Sequence, residues 1–170
     1  MRWLPILLLA LVPAAHASEP SSFLPTDLKS AAGVYARAAG LLPLTPTADF
    51  ELRVWTRDYM LGSVTGVVVS NGTQRSFKSV SIYKQGKIVV KAAHLGSEKP
   101  IRNLSQLKRL IQELKAYDGN AVSCGVMDGG SDLVDAVVQG HAITVEVDNP
   151  KSCTDKASQI VVNLLGKLRD

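Results

Sequence analysis

Aromatic residues are scarce in this 170-residue chain: three Phe, two Trp and four Tyr, 5 % in all. Its lysines and arginines are scattered rather than clustered. A surface that stacks bases and grips phosphates needs both features, so a nucleic-acid partner is not expected. Cysteine is nearly absent, with Cys124 and Cys153 alone, which leaves no thiolate set for structural zinc. The three histidines stand in no HxxxH or HExxH pattern, and no Gly-x-Ser-x-Gly, Gly-x-Gly-x-x-Gly or GK[ST] spacing occurs. These absences remove the sequence-local signatures of zinc hydrolases, serine-elbow hydrolases and nucleotide binders, and no cofactor or metal is expected. There is no repeat or low-complexity tract, and past residue 17 no apolar run approaches the ~20 residues of a membrane helix.

What is present begins with MRWLPILLLALVPAAHASEP. One positive residue, a short apolar run and Ala15-His16-Ala17 describe a secretory signal peptide cleaved after residue 17. Arg2 is its only charged residue, so the formal charge of +4 becomes +3 on cleavage. The expectation is an exported protein, periplasmic or extracellular, with no integral membrane segment once the leader is removed. In an oxidising compartment two cysteines 29 residues apart are expected to form a Cys124–Cys153 disulfide.

Residues 18–49 form a Pro- and Ala-rich arm. Thr26-Asp27 is placed to cap a short helix to about Ala39, with Leu28, Ala31, Ala32 and Tyr35 on one side and Gly40 as its stop. Residues 50–170 are expected to form one α+β domain against which the arm lies. Phe50, Leu52 and Val54 alternate with charged residues, the period-2 mark of a half-buried strand. Ser63–Ser70 runs into Asn71-Gly72, a strong hairpin signal. Phe77–Tyr83 is the next strand, and Gln85-Gly86 turns the chain into Ile88–Ala92, which completes a four-strand meander.

Leucine, isoleucine and tyrosine at 104, 107, 110, 111, 114 and 117 then share one helical face. Asn103 with Gln106 resembles a capping box, and Gly119 occupies the C-terminal stop. Ala121–Val126 reads as a buried strand. Leu133–Val138 fits a strand better than a helix, turning at Gln139-Gly140 into a strand in which Ile143, Val145 and Val147 alternate with Thr144, Glu146 and Asp148. A last helix from about Thr154 to Leu168 carries Ala157, Ile160, Val161, Leu164, Leu165 and Leu168 on one stripe. The whole predicts an antiparallel sheet of six to seven strands with two main helices on one face, stapled by one disulfide.

The stretch SCGVMDGGSD (Ser123–Asp132) is the most chemical-looking in the chain. Met127–Gly130 reads as the turn between two strands, for which Asp and paired Gly suffice. As a carboxylate cluster, Asp128, Asp132 and Asp135 lack the EF-hand spacing and its closing glutamate. With no catalytic constellation in sight, the reading is a non-enzymatic binding module, an inhibitor or immunity-type protein for a cell-envelope hydrolase or toxin. Its contact residues are expected on rigidly held turns at Met127, Asp128 and His141. The alternative is a small exported hydrolase using His141 or His94 with an aspartate.

Overall fold

The structure, a computed structural model, describes residues 28–58, 63–84, 87–125 and 130–169. The leader (1–17), the Thr26-Asp27 cap, the Gln85-Gly86 turn and the Met127-Asp128 pair lie outside them. Strands β1 (Phe50–Asp58), β2 (Ser63–Ser70), β3 (Thr73–Lys84) and β4 (Lys87–Leu95) form the expected antiparallel meander. At its first visible turn, Asn71 and Gly72 both take positive φ, 51° and 75°. That backbone matches the strand twist, which is why Asn-Gly closes so many two-residue hairpins.

Two-residue β5 (Lys99–Pro100) pairs with the start of β3. After helix α2 (Leu104–Leu114) and a 3-10 turn (Lys115–Tyr117) comes β6 (Ala121–Val122). Then β7 (Gly130–Val138) and β8 (His141–Asp148) form a hairpin on Gln139-Gly140, again with paired positive φ of 50° and 77°. Helix α3 (Lys156–Arg169) ends the described chain. The sheet order is β4-β3-β2-β1-β7-β8-β6, with β5 beside β3. The sheet has eight strands rather than six to seven, and it is antiparallel except where β6 meets β8.

Because β7 inserts beside β1, β1 lies in the middle of the sheet and is covered on both faces. Leu52 and Val54 pack with Val134, Ala136 and Val145 under α2 and α3, through Leu107, Ile111, Leu114, Val161 and Leu164. Both main helices therefore cover one face, as expected. Trp55 points the other way, into a second cluster with Phe77, Val64, Val68 and Leu133. That cluster is capped by helix α1 (Leu28–Ala38) through Ala31, Ala32, Tyr35 and Ala36. The alanines let the helix backbone approach closely, and Gly40, at φ 69°, ends the turn with Leu41 N–H donating to the Ala36 carbonyl at 2.9 Å. Beneath Trp55 only a glycine fits: a Cβ on Gly66 would come within 2.3 Å of the Val54 carbonyl and 3.1 Å of the indole.

Four expectations need correction. The β1 strand is not half-buried: Arg53 and Arg57 keep only 2 % and 7 % of their surface, because α1 covers the side they occupy. Ala121–Val126 is not a buried strand. Two residues pair, parallel to β8 at the sheet edge, before Gly125 turns the backbone away at φ 78°. Since β8 lies between β6 and β7, those two strands are not the hairpin neighbours expected around Met127–Gly130, a turn whose residues 127–129 lie outside the described ones. Asn103 makes no capping box either: its backbone carbonyl accepts from Leu107 N–H at 3.0 Å, while its side chain caps nothing. The disulfide Cys124–Cys153 is formed and ties the segment after β6 to the approach of α3. Among the described residues no helix is long and apolar enough to cross a membrane.

Candidate functional site

Helices α2 and α3 cover β1, β7 and β8, and on that same face β2, β3 and β4 stay open. Alternation along each strand sends Thr65, Val67, Ser76, Lys78, Val80 and His94 outward there; Thr65, Ser76, Lys78, Val80 and His94 are exposed and Val67 is half-buried. The last turn of α3 stands along this open face as a wall, and the segment from Gly96 to Asn103 closes one end. Three adjoining cavities result, of about 450, 270 and 160 Å³. Arg169 lines all three; Gln74 and Lys99 line the two larger ones.

The charge of this cleft has one sign. Among the described residues Lys78, Lys99, Arg102, Lys167 and Arg169 line it, and no Asp or Glu does. Among the described residues none of these five cations is in an ion pair; the pairs present are Arg53–Glu51, Arg57–Glu146, Lys108–Asp49 and Arg109–Glu113. Lys167 and Arg169 sit on the last turn of α3, where the helix dipole favours cations and where the fold therefore tolerates them. Between the cations the lining is apolar at Val67, Ile101, Leu165 and Leu168. A low-dielectric floor beneath unpaired positive charge focuses the field toward an incoming anion. One polar atom stands out: Gln74 Oε1 is buried with no hydrogen-bond partner.

Just behind the floor lies Asp132, which keeps 5 % of its surface and accepts a hydrogen bond from the Thr56 hydroxyl. Burial pushes its carboxyl above the ordinary range, against the pull of that hydrogen bond and of Lys151 and Arg169. A carboxyl raised on folding makes the native state bind the proton more tightly than the unfolded chain does. Its favourable contribution is complete below the unfolded pKa and is lost as pH rises through the folded one. Asp132→Asn keeps the acceptor for Thr56 and removes the charge. It is expected to raise the urea midpoint at pH 7.5, by a margin that shrinks toward pH 4. A margin that is absent, or that grows on acidification, would show that the carboxylate is a net stabiliser.

The residues singled out in the sequence are placed as follows. His94 lines the open cleft, with no carboxylate among the lining residues. His141 is exposed at the first position of β8 and lines none of the three cavities. Asp132 and Asp135, three apart on one strand, point to opposite faces; Asp135 accepts from Thr144 Oγ1 at 3.1 Å on the α1 side. The carboxylate cluster is thus not brought together, and among the described residues no group of three or more His, Cys, Asp or Glu is placed to hold a metal. Met127 and Asp128 lie outside the described residues.

A second polar cluster lies sealed under α1. Arg57 donates to Ser131 Oγ from Nε at 3.1 Å and from Nη2 at 2.9 Å, and pairs with Glu146, which also accepts from Ser131 Oγ at 2.8 Å. Burial pushes the Tyr35 phenol beside it up to about 12, partly offset by the Arg57 charge. With Arg57, Ser131 and Glu146 all keeping under a tenth of their surface, this cluster joins the sheet to α1 and meets no solvent-borne ligand.

The cleft was not legible beforehand. Lys99 with Arg102, and Lys167 with Arg169, are visible as pairs in the sequence, but only the seating of the α3 C-terminus over the start of β3 brings the pairs together. Compared with models of known protein families and with curated proteins, the sequence matches none.

Proposed function

We propose that this protein is an exported, non-enzymatic binding module, an inhibitor or immunity-type protein that neutralises a hydrolase or toxin of the cell envelope. In this reading the partner is held at the cationic cleft. The observation that carries it is the open face of β2–β4, lined among the described residues by five cations and no acid. Unpaired charge of one sign raises the rate at which an oppositely charged protein is captured and rejects like-charged ones. A rigid sheet supplies the surface with little ordering cost. The leader-like N-terminus and the disulfide both fit an oxidising, extracytoplasmic setting. A hydrolase built on His94 would need a carboxylate to orient it, and the cleft lining offers none.

The test uses two forms of the mature protein, the natural one and Lys99→Glu/Arg169→Glu, each immobilised and exposed to envelope extract. Both altered side chains are exposed, so the fold should persist, which a melting curve checks. The natural form is expected to retain an acidic hydrolase or toxin and to abolish its activity when added back. The charge-reversed form is expected to bind at least about tenfold more weakly, since reversed charge opposes both encounter and contact. Equal retention by both forms, or a retained enzyme that stays fully active, would reject the proposal.

A further inference from the structure

We infer that the cleft receives an extended acidic segment of its partner. A glutamate or aspartate carboxylate of that segment would sit between Arg169 and Lys99, a backbone N–H at Gln74, and the aliphatic side chain two residues along on Val67 and Leu168. This rests on the binding reading above and names the chemistry that the site recognises.

Three observations converge on it. The cavities meet at Arg169, Gln74 and Lys99, and the pairing of β5 with β3 sets Gln74 directly opposite Lys99. An anion is therefore favoured at the junction rather than at the periphery. Next, Gln74 Oε1 is a buried acceptor without a donor. Sulfate and carboxylate groups offer only acceptors, so a bare sulfate or acetate ion satisfies the cations and leaves Gln74 unmet. A peptide carries a backbone N–H within a residue of its acidic side chain and satisfies both. Last, the floor between the cations is Val67, Leu165 and Leu168, which gains nothing from a bare anion. It gains from an aliphatic side chain, at roughly 25 cal/mol for each Å² withdrawn from water. In an extended chain residues two apart share a face, so an acidic residue and an aliphatic one at i and i+2 meet the cations and the floor together.

The probe is an acetylated, amidated hexapeptide, Glu-Ser-Leu-Ser-Glu-Ser, titrated into the isotopically labelled protein. Amide shifts are expected at Gln74, Lys99, Leu168 and Arg169. Arg169→Ala should weaken binding about tenfold, and Gln74→Leu about fivefold, the loss of one hydrogen bond. Melting temperatures should stay within a degree or two. A hexaglutamate peptide, which lacks the aliphatic side chain, and inorganic sulfate should each bind at least fivefold more weakly, the sulfate without sensitivity to Gln74→Leu. If those anions bind as well as the probe, or Gln74→Leu is silent, the cleft is a general polyanion surface and this inference falls. Capture of the protein partner can still depend on Lys99 and Arg169 in that case, so the binding reading stands. If shifts map outside the cleft and partner capture also ignores Lys99→Glu/Arg169→Glu, both fall together.

Discussion

Arg57→Met is expected to lower the unfolding free energy by about 3–5 kcal/mol at neutral pH, the usual consequence of stripping one partner from a buried ion pair. Methionine retains most of the length of the side chain and keeps an apolar stem at the position opposite Val64 on β2, so the loss is electrostatic. Glu146, at 2 % exposure, would be left with the Ser131 hydroxyl for company in a pocket sealed by α1. In the natural protein burial already pushes its carboxyl upward, and Arg57 is the chief opposing influence. Without Arg57 only the Ser131 hydrogen bond opposes the upward shift, so the native state of the variant takes up a proton that the unfolded chain releases. The sign follows: the deficit is greatest at high pH and narrows as pH falls through the raised pKa toward the ordinary carboxylate range. Urea unfolding of Arg57→Met at pH 7.5 and pH 5 reads this directly. Adding Glu146→Gln should restore most of the loss at pH 7.5, because a neutral amide can still accept from Ser131. A loss that is equal at both pH values and unaffected by Glu146→Gln would mean that Arg57 acts through packing rather than charge.

That pair also marks the limit of what the sequence discloses. Elements whose signal is local were legible. Asn71-Gly72 and Gln139-Gly140 are turns because their chemistry permits paired positive φ, and the leucine stripe of α2 is a stripe in any context. The α1 helix was readable from its own apolar side and its stopping glycine. Its destination was not, since a short helix of small residues fits many surfaces. Once it lies over β1, the charged positions that look solvent-facing in FELRVWTRD become buried. Arg53 then finds Glu51 and the Leu42 carbonyl of the arm, at 2.6 Å each from Nη2. The strand order failed to show for a similar reason. Placing β7 against β1 depends on matching two buried faces across more than seventy residues, and no local pattern encodes it. The cleft is the sharpest case, because it exists only where two helices leave part of a sheet face bare.

Removing the bridge with Cys124→Ala/Cys153→Ala is expected to cost about 3–4 kcal/mol, the chain entropy released when a loop of this length is opened. The two cysteines are 29 residues apart and enclose the whole β7–β8 hairpin. The core does not need the bridge to close: Leu107, Ile111, Val134, Val145, Val161 and Leu164 meet whether or not it is present. The variant should therefore fold, with a lower urea midpoint. Its looseness should be confined to the edge that the bridge holds. There β6 contributes two residues, and the β8 edge is otherwise covered by Gly119 N–H donating to the Thr144 carbonyl and Asn120 accepting from Glu146 N–H, at 2.8 and 3.1 Å. Amide exchange is expected to rise first over residues 118–124. Cys153 stands before the first turn of α3 and the cleft beside its last, about 20 Å away along a 14-residue helix. Binding at the cleft should then survive loss of the disulfide nearly unchanged at temperatures where the variant is folded. If binding falls in step with the bridge while the β2–β4 amides stay protected, the binding surface lies on the bridged segment itself, beside Met127 and Asp128.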